Sequence, residues 1–146
     1  MANALQGIVS VAGRVLLAAI FLSAAAGNKI PNFNSVAEVM GKVGMPAPRL
    51  MLVGAIAFLL VGGALVVLGL YARFGAALLL AFLALATYYF HGFWRLEDAQ
   101  AQQEQTIQFM KNLSMAGAML FIIANGPGAW SVDAVRSAKV RREAQP

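Results

Sequence analysis

The chain has 146 residues, 60% hydrophobic and only 12% charged, with no cysteine and a net charge of +5. A soluble globule carries roughly 25% charged residues, so this composition leaves little room for a soluble fold; the missing cysteine excludes disulfide scaffolds, thiolate metal sites and thiol chemistry on this chain. The basic balance does not indicate nucleic acid, because four of the eleven Lys and Arg (Arg136, Lys139, Arg141, Arg142) crowd into the last eleven residues, as in a tail that flanks a membrane.

Four stretches of about 17 to 21 residues are nearly free of charge, the length a helix needs to cross roughly 30 Å of hydrocarbon. The first runs from about Ile8 to Gly27. Its Val15 to Leu22 core, followed by Ser23-Ala24-Ala25-Ala26, also has the form of a signal peptide with a cleavage site; retention as a span is expected. Next, Ser35-Val36-Ala37-Glu38 matches a capping box, and Val36, Val39, Met40 and Val43 share a helix face, which predicts a short amphipathic helix on the membrane surface. Gly44-Met45-Pro46-Ala47-Pro48 ends it.

The second span is expected from Leu50 to Leu70 and the third from Phe74 to about Trp94, joined by the tight Leu70 to Arg73 turn. The Gln-rich connection from Arg95 to Thr106 has no Gly or Pro, which permits the third helix to continue beyond the bilayer. The fourth runs from about Ile107 to Asn125, where Gly126-Pro127-Gly128 breaks it. The expected fold class is therefore all-α integral membrane: a four-transmembrane-helix bundle with a short amphipathic helix between helices 1 and 2. One domain is expected over residues 1–135, followed by a basic polar tail over 136–146.

Four spans put both termini on one side. That side holds Arg14, Arg73, Arg136, Lys139, Arg141 and Arg142, against Lys29, Lys42, Arg49, Arg95 and Lys111 on the other, and the clustered tail tips the orientation toward cytoplasmic termini. Arg49 to Arg73 is a rise of about 36 Å, enough to cross, whereas Arg14 to Lys29 is about 22 Å, so at least one of these two is expected to be drawn inward; Lys111 to Asn125, about 21 Å, is similarly short. Arg14 then needs a partner, and Asp133, on the same side, is expected to form a charge pair that clamps the first and last helices.

Ala77, Ala81, Ala84, Tyr88 and His91 share one face of the third span, and such a stripe of small residues is expected to face the bundle. His91, Trp94, Lys29, Lys111 and Asn112 all fall near the outer helix ends, so with Tyr88 they form the candidate ligand site. A plainer reading stands beside each. Tyr88, Tyr89, Phe93 and Trp94 also suit an interfacial aromatic belt; Lys29 and Lys111 suit snorkelling anchors; a lone histidine is more often a hydrogen-bonded core residue than a metal ligand. No catalytic residues and no metal set are expected.

These motifs resemble the DoxX family of small four-helix bacterial membrane proteins. The resemblance rests on Arg14 opening the run through Phe21-Leu22-Ser23 to Gly27-Asn28-Lys29-Ile30, on Gly41 to Pro46, on Gly62-Gly63, and on Leu68 to Arg73. Lys111 to Gly117 and Gly126 to Asp133 are its most specific parts, and it covers about residues 10–135. It implies a four-helix bundle in the bacterial inner (plasma) membrane and an association with membrane redox systems. Relatives often carry a glutamate shortly before the paired glycines; here Phe58-Leu59-Leu60-Val61 stands, which puts a proton-handling role for that helix in doubt.

The function expected from residues and resemblance together is an accessory or structural membrane subunit of an oxidoreductase or electron-transfer complex, not an enzyme on its own. A quinone contact suits the outer cluster, because a quinone head needs hydrogen bonds for its carbonyls and an aromatic wall for its ring. No covalent cofactor is expected, with a quinone or lipid as ligand, and the bilayer and other membrane subunits as partners. A non-catalytic scaffold for membrane helices is the alternative, and a small transporter a weaker one, since four short spans without repeats or intramembrane carboxylates offer little coupling machinery.

Overall fold

The computed structural model describes residues 2–144; residues 145 and 146 of the predicted tail, and the side chains of Ala2, Asn3 and Arg142, lie outside the described part. The described residues form six α-helices: α1 (Ala2–Ser23), α2 (Phe33–Lys42), α3 (Pro48–Leu68), α4 (Ala72–Phe90), α5 (Ala99–Asn125) and α6 (Val132–Glu143). Four helical stretches are long and apolar enough to cross a membrane: Ala4–Lys29, Pro48–Leu68, Ala72–Arg95 and Ala99–Asn125. This is an all-α membrane protein with four spans.

α1 ends in a π-helical turn over Ala24–Lys29, closed by an i→i+5 bond from Ile30 N–H to the Ala25 carbonyl at 3.0 Å. Pro31, which has no N–H, follows. α2 starts at Phe33, with Asn32 rather than Ser35 in the N-cap position, so the predicted capping box does not form; Asn32 Nδ2 instead donates to the Asn28 carbonyl at 3.1 Å. Its inner face also differs from the expected one. Ala37 and Met40 are buried, packed with Phe33 and Val36 against Leu52, Met51 and Tyr89, while Val39 and Val43 are exposed. α2 therefore folds onto the bundle instead of merely resting on the membrane.

α3 opens with Pro48 at its first turn, where the missing N–H costs nothing, and ends at Gly69, whose φ of 62° suits glycine. Leu70 N–H reaches back to the Leu65 carbonyl at 3.1 Å and completes the cap. α3 is the central helix, packed closely on α1 and on α4, while α5 packs on α4. Two adjacent glycines serve the two neighbours. A Cβ at Gly62 would lie 2.9 Å from the Gly75 carbonyl oxygen of α4, and one at Gly63 would lie 2.7 Å from a Leu22 methyl of α1.

This crossing fixes the orientation of α4 and corrects the predicted face. Ala72, Gly75, Ala76, Leu79 and Leu83 are buried, whereas Ala77, Ala81, Ala84 and Tyr88 point outward. Gly75 decides the matter: a Cβ there would meet Leu65 Cβ at 2.7 Å, so this glycine is what lets the two backbones approach. α4 stops at Phe90 and does not continue to Trp94; a short 3₁₀ turn, Phe93–Arg95, follows. α5 begins eight residues before the predicted start because Asp98 caps it, accepting from Ala101 N–H at 2.7 Å. The basic tail is helical through Glu143.

Candidate functional site

In the half of the bundle away from the termini, beneath α2, lies a cavity of about 510 Å³. Its walls are apolar: Phe21 of α1, Met40 of α2, Phe58 of α3 and Phe82 of α4 are among them, and exposed Ile20, Leu50 and Leu85 border it toward the lipid. Lys29, His91 and Asn112 are the polar side chains that line it. The π-helical turn carries Lys29, whose Nζ sits 5.5 Å from the centroid of the Phe82 ring. Asn112 Nδ2 donates to Thr87 Oγ1 at 2.9 Å across the α4–α5 seam. His91 Nδ1 is 2.8 Å from Gln105 Oε1, and since an amide oxygen only accepts, Nδ1 is the donor in this contact.

The predicted cluster is thus divided. Lys29, His91 and Asn112 share the cavity, while Tyr88, Trp94 and Lys111 are exposed and outside it. Tyr88 lies under the Arg95 guanidinium at 5.5 Å, and Trp94 meets Phe93 and Phe109 edge-on at 5.2 and 6.1 Å. These contacts are those of an interfacial aromatic group. Sequence reasoning missed Thr87 and Gln105, which orient Asn112 and His91; neither carries a motif, and only the fold brings them within reach.

The opposite end is held by residues 126–133. The Arg14–Asp133 pair does not form. Arg14 is buried and its Nη2 donates to the Trp130 carbonyl at 2.7 Å, while Nε and Nη1 find no partner among the described residues. Asp133 instead accepts from Tyr71 N–H at 2.9 Å and Ala72 N–H at 3.0 Å, capping α4, and its own N–H donates to the Gly69 carbonyl at 2.9 Å. A carboxylate at a helix N-terminus answers both the unpaired N–H groups and the helix dipole, so backbone outcompetes the guanidinium. Ser10 of α1 donates to the Pro127 carbonyl at 3.0 Å, and Ser131 Oγ accepts from Ala134 N–H at 3.2 Å to cap α6. Tyr71 and Trp130, with φ of 45° and 52°, are the strained residues this lock holds in place.

A family model, DoxX, matches residues 9–92, which takes in most of α1 and all of α2 to α4. The chain belongs to the DoxX family. Among its relatives, the inner membrane protein YqjF of Escherichia coli K12 is 30% identical over 136 residues, 92% of this chain and 97% of that protein. An alignment of that extent reaches α5 and the lock, which the DoxX model match does not. The inner membrane protein YphA of the same organism is 34% identical over 106 residues, 72% of this chain and 74% of that one. The Surfeit locus protein 4 homolog of Schizosaccharomyces pombe is 34% identical over 71 residues, 48% of this chain and 24% of that protein. No solved structure matches significantly. With its four spans, this DoxX protein contacts the lipid bilayer directly, and its bacterial relatives are inner membrane proteins.

Proposed function

We propose that this DoxX protein is an accessory subunit of an inner-membrane oxidoreductase or electron-transfer complex, with both termini cytoplasmic, and that it holds an isoprenoid quinone in the outer cavity. The observation that carries this reading is the cavity's makeup: apolar aromatic walls, a border open to lipid, and Lys29, Asn112 and His91 as its polar residues. The volume of about 510 Å³ falls within the usual range for a small-molecule site. Lys29 Nζ and the second N–H of Asn112 donate to quinone carbonyls; His91 Nε2 accepts from a quinol hydroxyl. The quinone supplies two-electron carrier chemistry when bound; the chain's own residues bind the head, orient it against Phe82 and exclude water.

Native mass spectrometry of the protein, extracted gently from its own membrane, tests this. A stoichiometric quinone together with a redox subunit is expected. A homo-oligomer carrying only phospholipid would contradict both parts. The outward stripe of Ala77, Ala81 and Ala84 favours a second reading, a scaffold that packs against another membrane helix; a bound membrane subunit without quinone would put that reading first.

A further inference from the structure

At the end of the bundle that carries both termini, a groove of about 720 Å³ lies between the start of α4, the 126–131 loop and α6. Arg73 and Arg136 line it. Neither meets a carboxylate: the ion pairs among the described residues are Glu38–Lys42 and Lys139–Glu143. The acid in the groove, Asp133, forms no ion pair with either of them; its two oxygens are turned to the Tyr71 and Ala72 N–H groups. The two guanidinium groups are held by other means. Arg136 lies over the Tyr71 ring at 4.9 Å, and Arg73 gives one Nη2 bond to the Ala124 carbonyl at 3.3 Å.

Both therefore keep unused N–H groups in a groove whose flank is Phe74, 60% exposed, and Tyr71, 57% exposed. Large exposed aromatic residues at a span end mark the headgroup level. Two arginines there suit a phosphodiester, which guanidinium recognises through paired N–H donors. A choline headgroup would bring a third cation beside the two guanidinium groups, neither of which has an ion-pair partner among the described residues. We propose that this groove binds the headgroup of an anionic phospholipid, with Arg73 and Arg136 on its phosphate and its acyl chains running down past Phe74. Basic pockets at the cytoplasmic ends of membrane helices are a recurrent way of holding such lipids, and to that extent the proposal rests on the cytoplasmic termini proposed above.

The test is independent of the quinone reading, since the two sites lie at opposite ends. Purified protein in a neutral detergent is titrated with phosphatidylglycerol or phosphatidylcholine, and retained lipid is measured by native mass spectrometry. Phosphatidylglycerol is expected to bind preferentially. Arg73→Gln with Arg136→Gln should weaken its retention roughly 30-fold and leave phosphatidylcholine unchanged. Arg136→Gln alone should cost roughly fivefold, and it carries the test if the double variant does not fold. Lys139→Gln with Arg141→Gln, in the exposed tail, should change neither lipid. Equal retention of the two lipids by the unaltered protein, an equal loss from the tail variant, or displacement of the lipid by inorganic phosphate would overturn the proposal.

Discussion

Gly62→Ile is expected to destabilise the protein by about 3 kcal/mol, seen as a fall of roughly 10 °C in the thermal midpoint in detergent. A Cβ at Gly62 would lie 2.9 Å from the Gly75 carbonyl oxygen and 2.9 Å from Leu79 Cγ. Leu79 can turn aside, but the carbonyl belongs to the backbone of α4, so α3 and α4 must separate. Separation strips contacts along the whole seam, because lipid supplies no hydrophobic force to restore them. Gly117→Ile, on the exposed face of α5 where a Cβ would meet nothing within 4 Å, is the control and should shift the midpoint little. Equal midpoints for the two variants would mean that the glycine crossing does not hold the bundle.

Asp133→Ala should cost about 3 kcal/mol, because it removes two charge-assisted bonds to Tyr71 and Ala72 N–H and uncaps α4. Tyr71 is held at a φ of 45° by one of those bonds, so the turn is expected to relax as well. Asp133→Asn keeps one acceptor and should lose roughly half as much. Hydrogen exchange of the Tyr71 and Ala72 amides checks the assignment: both should exchange faster in the alanine variant. Unchanged protection there would show that Asp133 acts elsewhere, as a charge partner for Arg14 would require.

The four spans are legible in the sequence because length and lack of charge are what the bilayer demands, and Gly126-Pro127-Gly128 marks the end of α5. Other features are hidden for physical reasons. α4 carries small residues on two faces, so the Ala77, Ala81, Ala84 stripe reads as well as the true seam; Gly75 and Gly62, on different helices, decide between them only once those helices are packed. The start of α5 depends on Asp98 as a cap in a segment too polar to signal a span. Helix order alone puts Arg14 and Asp133 at one end, yet sequence cannot say that each will prefer a backbone group. In the predicted cluster, Lys29, His91 and Asn112 group together from helix ends alone, whereas the exclusion of Tyr88 and Lys111 depends on the rotation of α4 and α5, and that of Trp94 on α4 stopping at Phe90.

The proposed quinone site is tested most directly by calorimetric titration of the purified protein with a short-chain quinone analogue. Saturable binding at one site per chain is expected, weakened about tenfold by Asn112→Leu and similarly by Lys29→Met, since each removes one hydrogen-bond donor to the head. Lys111→Gln, outside the cavity, should leave it unchanged. Absence of saturable binding, or affinity indifferent to both cavity substitutions, would contradict the assignment.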